Sequence, residues 1–453
     1  MRITLCFIIF INLCISLFGQ VHFTRLNNED GLSHSEVKAI LQDSYGYMWI
    51  GTRNKLNRYD GCEFKVLDCY DPVANRRNNN IAALCEDANR LLWIGTDDGV
   101  FVYDPALETF TYLERWLNPD QSADFLYNWV SNIVADKEGN MWVVLPSRGI
   151  LKVNIQTKAY RLYSISEDTV FGKGGPLSLT VDEQGTIWAG CIEQGICRYD
   201  RKKDEFVRVL KETGMFQGKG VYTMLSYKEF LLIALHEGGL LKYKMDTKTL
   251  SLHDFPEVDK VMLRCLMMSK EEELWVGTNN GIYIYNVLTG SCTNVKNDSF
   301  DSHSLSNNTV TTMYTDREKG IWVGTLYGGL NYQSRSAENF TVYIPNDHPQ
   351  SVQSQWIHGL YWDEETQKLW VGTEDEGCSV FDKNMSVFTP VNTHPTVTVT
   401  CIRKIDGNIW IGYFKNGLDV VSPSMKVTHY TGKELGLKEE SIFAFCEDHT
   451  GTI

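Results

Sequence analysis

The chain has 453 residues, 12% aromatic side chains, 36 glycines and a formal net charge of −14. That acidic balance argues against nucleic acid or an anionic membrane surface as a partner. Such a length exceeds one ordinary domain, and few segments carry helical periodicity, so a multi-domain chain of strands is expected.

Met1-Arg2 is followed by an almost wholly apolar stretch, Ile3 to Phe18, and then by Gly19. This pattern predicts a secretory signal peptide over residues 1–19 and an exported, periplasmic product. The apolar run, roughly 16 residues, is short for a membrane span, and no later stretch could cross a bilayer. Cys6 and Cys14 leave with that segment, so ten cysteines remain, without CxxC or zinc spacing. Cys85, Cys265, Cys401 and Cys446 fall on inner-strand positions, where cysteine behaves as a small buried hydrophobe. Cys191 with Cys197, and Cys62 with Cys69, could pair.

The first repeating unit begins with the apolar-rich run Val37 to Leu41 and the turn Asp43-Ser44-Tyr45-Gly46. Asp can bond its own backbone two residues on and Gly tolerates positive φ, so a tight hairpin is expected there. Trp49-Ile50-Gly51-Thr52 follows, then a polar turn, a third strand from Leu56 to Asp60, and a fourth from Glu63 to Leu67. Four short strands joined by tight turns make one antiparallel sheet. The Trp-x-Gly phrase returns at Trp93, Trp275, Trp322 and Trp370, in worn form at Trp142, Trp188 and Trp410, and without its tryptophan at Leu232. The spacing is about 45 residues. A single such sheet cannot bury its own faces, so the units must stack around an axis as the blades of a β-propeller. The repeat tryptophans are expected between blades, with the following glycine allowing close backbone approach.

Phe23 to Leu26, Asp30-Gly31-Leu32-Ser33, Gln42-Asp43, Trp49 to Thr52 and Arg58-Tyr59-Asp60-Gly61 resemble the opening of two-component regulator propeller proteins. Ser304 to Asn308 and Asp316 through Thr325 look like the same family's phrase between blades. The resemblance implies the periplasmic sensor of a hybrid two-component system. Such proteins commonly carry two seven-bladed propellers, an immunoglobulin-like domain, a membrane helix, and kinase, receiver and DNA-binding modules. It further implies an oligosaccharide ligand derived from a polysaccharide, no cofactor, and compatibility with a homodimer in a full-length relative. Histidine kinase activity would lie in the downstream region of such a relative. The last residues, Ser441 to Ile453, spell the first strand and turn of a tenth unit.

Seven tryptophan slots, from Trp49 to Trp322, assign residues 20–344 to a seven-bladed propeller, closed by Phe23 to Leu26 pairing into the last blade. Residues 345–453 are assigned to the first blades of a second, truncated propeller, after a linker at Asn346 to Gln355. The division into sevens leans on the family; periodicity alone also allows eight blades.

Catalytic motifs are lacking. His236-Glu237-Gly238-Gly239 has no second histidine, and Gly218-Lys219-Gly220 lacks Walker spacing. Non-catalytic sensing is the preferred reading; the alternative is a secreted propeller lyase or hydrolase acting on carbohydrate. In a propeller, the turns between second and third strands share one face with the connections between blades. Arg53, Trp129, Arg148, His236 and Tyr327 are the candidate ligand-binding residues on that face, because sugars need aromatic faces and polar groups for their hydroxyl pairs. Trp129 lies outside the repeat slot; its competing role is to cap an inner strand from Val130 to Ala135. No metal site is expected.

Overall fold

The computed structural model describes residues 21–453 apart from 118–125, 167–168, 210–215, 217–218, 237–238, 253–255, 259–260, 271, 335–342, 344, 346–349, 383–386, 394–396 and 451. The expected signal segment, residues 1–19, lies outside the described residues. The chain divides into two units, Met1–Asn339 and Phe340–Ile453.

The first unit is a β-propeller of seven four-stranded antiparallel sheets. Its blades span residues 37–67, 81–112, 132–164, 176–208, 221–252, 263–295 and 310–333, each running from an inner strand outward. Six are built from four consecutive strands. The seventh takes its outer strand from the start of the chain, Thr24–Leu26, with Thr24 opposite Tyr332 and Leu26 opposite Leu330. Arg25 fixes that strand: its Nε donates to the Ser304 carbonyl at 2.9 Å and its Nη2 to Ser304 Oγ at 2.8 Å. Each inner strand touches the next, and the seventh touches the first, so the ring closes at seven. Closure completes the seventh blade and leaves only short outer edges on each sheet.

The tryptophan and the glycine of the repeated phrase have separable tasks. Trp49, Trp93, Trp142, Trp188, Trp275 and Trp322 are all buried. Trp49, for example, packs into a cluster with Ile81 and with Tyr103 and Phe110 of the second blade. The glycine faces the first inner residue of the next blade. A Cβ on Gly51 would lie 2.5 Å from Ile81 Cγ2, on Gly95 2.5 Å from Val130 Cγ1, on Gly277 2.8 Å from Val310 Cγ1 and on Gly324 2.6 Å from Val37 Cγ1. A β-branched side chain occupies the space that any larger residue would need. The fifth blade keeps the strand with Leu232 and Ala234 in these two slots, both buried.

The hairpins form as the sequence implies. Asp43 Oδ1 accepts from the backbone N–H of Tyr45 and of Tyr47, both at 2.9 Å. Gly46 at its tip has φ of 100°. Third strands open at glycines of positive φ, among them Gly99 at 88° and Gly281 at 91°, where an added Cβ would strike Leu126 O and Val295 O respectively.

The second unit holds two four-stranded blades among its described residues, 357–390 and 399–430. Part of the expected linker, Asn346 to Gln355, lies outside the described residues; Val352 is buried against Val371, Phe381 and Phe388, so that end of it is core. After the second blade, Ile442 N donates to Tyr413 O at 3.0 Å and Ile442 covers Gly412, as Val37 covers Gly324. Asp448 Oδ1 accepts from Thr450 N at 2.8 Å and Thr452 N at 2.9 Å, repeating the Asp43 turn. Cys446, expected as a buried inner-strand residue, is exposed, and among the described residues no strand is paired over it. Cys85, Cys265 and Cys401 do sit in inner strands and are partly buried. The candidate cysteine pairs are unbonded: all ten described cysteines are free, with the Cys191 and Cys197 sulfurs 3.9 Å apart.

Candidate functional site

Most inner strands of the first unit begin with the same irregularity. In six blades the first and third residues pair with the tryptophan strand while the second is skipped, as between Val37 and Ala39, or Leu263 and Cys265. A bulge of this kind re-aims the skipped side chain. Lys38, Ala82, Leu177, Tyr222, Arg264 and Thr311 occupy those positions. Lys38 Nζ reaches Asn80 Oδ1 at 2.7 Å and Thr311 Oγ1 donates to the Val37 carbonyl, so these two point to the start of the next inner strand.

Backbone hydrogen bonds gather the second turns onto the same face. Arg53 N donates to Glu36 O at 3.0 Å, within its blade, and Lys55 N to Asn79 O at 2.8 Å, ahead of the next blade. Gly99 N donates to Asn128 O at 2.8 Å, Gly281 N to Asn308 O at 2.7 Å, and Gly329 N to Ser35 O at 2.9 Å, the last across the ring closure.

All five candidate residues are exposed on these turns and lead-in loops. Arg53 is 65% exposed and lies 3.4 Å from Glu36 Oε2. Trp129 is 45% and Tyr327 71% exposed. Arg148 follows the third blade's Trp strand, and the His236 ring sits 5.8 Å from that of Tyr222. No hydrogen bond, ion pair or ring contact joins any two of the five among the described residues. Arg148, His236 and Tyr327 stand on three separate blades.

Arg53 and Trp129 differ, because they flank a continuous polar row at the junction of the first two blades. Asn78 Nδ2 donates to Asp97 Oδ1 at 2.5 Å, and Asn80 Nδ2 to Asp97 Oδ2 at 2.9 Å. Asn80 Oδ1 accepts from Lys38 Nζ, which lies 3.4 Å from Glu36 Oε1, whose other oxygen meets Arg53. Trp129 is held against the turn that carries Asp97: Asn128 O accepts from Gly99 N, and Val130 N donates to Thr96 O at 2.9 Å. The inner strand starts at Asn132 and the buried Val130 closes its end, which leaves the indole outside the core.

Glu36 and Lys38 escaped the sequence reading, although a lysine second in the run Val37-Lys38-Ala39-Ile40-Leu41 was the available signal. Below this row a second network stiffens the connection between the blades, where Tyr70–Asp71 pairs with Arg76–Arg77. Buried Asp71 accepts from Arg115 Nε at 2.7 Å, Tyr112 N at 2.8 Å and Val73 N at 3.0 Å. Burial pushes its carboxyl up, but these donors outweigh that and hold it below the usual carboxylate range. No group of three or more His, Cys, Asp or Glu among the described residues is placed to hold a metal ion.

Three stretches, residues 31–54, 75–98 and 304–327, match the family described as two component regulator propeller. Each runs from a lead-in loop to the turn beyond a tryptophan strand, and the first two contain the polar row from Arg53 to Asp97. Histidine kinase P4 of Formosa agariphila is 26% identical over 166 residues, 35% of this chain and 12% of that protein. The extracellular domain of the hybrid two component system BT3049 from B. thetaiotaomicron superposes with a TM-score of 0.65 at 20% identity, over 95% of this chain and 63% of that one. The corresponding domain of BT4673 from the same organism gives 0.58 at 20% identity, over 90% and 53%. These structures share the fold, and the chain spans less than two thirds of each.

Proposed function

We propose, from the three stretches that match the two component regulator propeller family, that the chain is the periplasmic sensing region of a hybrid two-component regulator. In this reading its turn face binds an oligosaccharide without altering it. The observation that carries the reading is the polar row from Arg53 to Asp97 with the exposed Trp129 at its end. Asn78 and Asn80 are fixed by Asp97 and Lys38 before any ligand arrives, so little ordering cost remains to be met on binding. An indole face beside such a row matches a sugar ring, which offers C–H groups on one side and hydroxyl pairs at its rim. Export follows from the leader pattern of residues 1–19 and agrees with the extracellular placement of the structural relatives. Kinase chemistry would belong to a longer protein of the kind represented by histidine kinase P4.

Calorimetry of the chain from residue 20 against oligosaccharide fragments, with chromatography of the sugar afterwards, tests the proposal. Saturable binding with unchanged sugar is the expected result. Turnover abolished by one carboxylate substitution would instead establish the enzyme.

A further inference from the structure

Three arginines meet at the connection between the first and second blades, and the carboxylates there serve two of them. Arg115 Nε lies 2.7 Å from Asp71 Oδ2, and Arg77 Nη2 lies 3.4 Å from Asp68 Oδ2. Arg76 has no such partner among the described residues. Its guanidinium lies over the Tyr127 ring at 4.3 Å and the Tyr112 ring at 5.7 Å. The two rings are themselves stacked, 5.7 Å between centroids and 11° between planes. Glu114 accepts from the Tyr127 hydroxyl.

This platform belongs to the candidate site. Tyr112 is buried, and its hydroxyl donates to Asp98 O at 3.1 Å, in the turn that carries Asp97. Tyr127 stands two residues before Trp129. Ring faces fix the plane of a guanidinium but do not use its in-plane N–H groups, which remain able to grip a planar or tetrahedral anion with two parallel hydrogen bonds.

We propose that Arg76 receives an anionic substituent of the ligand, a uronate carboxylate or a sulfate ester, so that the sugar recognised is an acidic one. This rests on the oligosaccharide reading given above and narrows it. The overall charge of −14 disfavours a dense polyanion, so the ligand carries few charges on a scaffold that also meets Trp129.

The test is calorimetry of the chain from residue 20 with a panel of neutral, uronate-bearing and sulfated oligosaccharides, each charged sugar beside its uncharged parent. Charged members should bind at least about tenfold more tightly than their parents, and Arg76→Gln should abolish that preference while leaving any neutral binding within about twofold. Arg76→Lys, which keeps the charge but loses the fork, should fall between. The uronate and sulfate arms identify which anion is held, and the preference should weaken with added salt. Unchanged thermal unfolding of Arg76→Gln separates this from misfolding. Neutral sugars bound as tightly as charged ones, with Arg76→Gln without effect, would overturn the inference and leave the oligosaccharide reading intact. No sugar bound at all would overturn both.

Discussion

The indole N–H of Trp49 donates to Oδ2 of Asp43 at 2.7 Å, while the other oxygen of the same carboxylate holds the hairpin between them. The pair recurs six residues apart as Trp93 with Asp87 at 2.9 Å, Trp142 with Asp136 at 2.8 Å, Trp188 with Asp182 at 2.8 Å and Trp322 with Asp316 at 2.9 Å. One aspartate therefore shapes a turn and satisfies a buried donor that would otherwise be costly. In the sixth blade Ser269 stands at that position, and Glu273 takes the Trp275 indole at 2.8 Å instead. In the second unit the residues six before Trp370 and Trp410 are Glu364 and Lys404, and both indole nitrogens lack a partner among the described residues.

Trp322→Ala should cost roughly 3–5 kcal/mol, as truncation of a buried aromatic does. Asp316→Ala should cost about 1–3 kcal/mol by orphaning the Trp322 indole and the Gly320 N–H. Denaturant titration followed by tryptophan fluorescence reads both. A loss below about 0.5 kcal/mol for Asp316→Ala would show that the carboxylate is dispensable.

Ring closure can be strained by one methyl group. Gly324→Ala places a Cβ about where Val37 Cγ1 and Thr312 Cγ2 already lie, at 2.6 and 2.8 Å, and should cost about 1–3 kcal/mol. Val37→Ala in the same chain should recover part of that loss, so a double-mutant cycle will report coupling. Additive effects would mean that the two residues do not meet.

Within the second unit, equivalent positions should respond differently. Ile402 is 5% exposed because the blade before it covers that face, whereas Leu360, at the same place in the preceding inner strand, is 62% exposed. In the chain ending at residue 453, Ile402→Ala should cost roughly 2–5 kcal/mol and Leu360→Ala under about 0.5 kcal/mol. Equal losses, measured by thermal unfolding, would contradict the arrangement.

Acid should release one outer-strand network. Burial pushes the Asp204 carboxyl up, but donation from Tyr199 and Tyr163, with Arg161 and Lys152 nearby, outweighs this and brings it to about 2. A carboxyl lowered from 3.8 by folding adds stability that is complete above 3.8 and disappears as the pH falls toward 2. Asp204→Asn should therefore be less stable than the parent at neutral pH, and the two should converge between pH 4 and about 2. Parallel unfolding curves across that range would refute the assignment.

At the candidate site, Trp129→Ala should weaken oligosaccharide binding about tenfold or more, since one exposed aromatic forms the platform. Asp97→Ala should do likewise by freeing Asn78 and Asn80. Arg148→Ala and His236→Ala, which make no hydrogen bond or ion pair to the polar row among the described residues, should change affinity less than about twofold. The reverse ranking, by calorimetry, would move the site to another part of the face.

The sequence by itself determined the blade and offered its closing strand; the closed ring decided between seven and eight blades. Alternating strands, Asp and Gly at hairpins and Trp-x-Gly phrases are local, and each repeats because every blade meets the same neighbour in the same way. The reading of Phe23 to Leu26 as the closing strand followed from its place ahead of the first unit, and it pairs as the outer strand of the seventh blade. What the tertiary structure alone decided is which turn residues act together. Lys38 meets Asn80 from 42 residues away, and Asp71 takes Arg115 from 44, leaving Arg76 to the tyrosines. Asp71, Arg76 and Arg115 lie outside the four-stranded blades, and Lys38 and Asn80 belong to successive repeats. Their pairing depends on where the closed ring brings them, which no local pattern encodes.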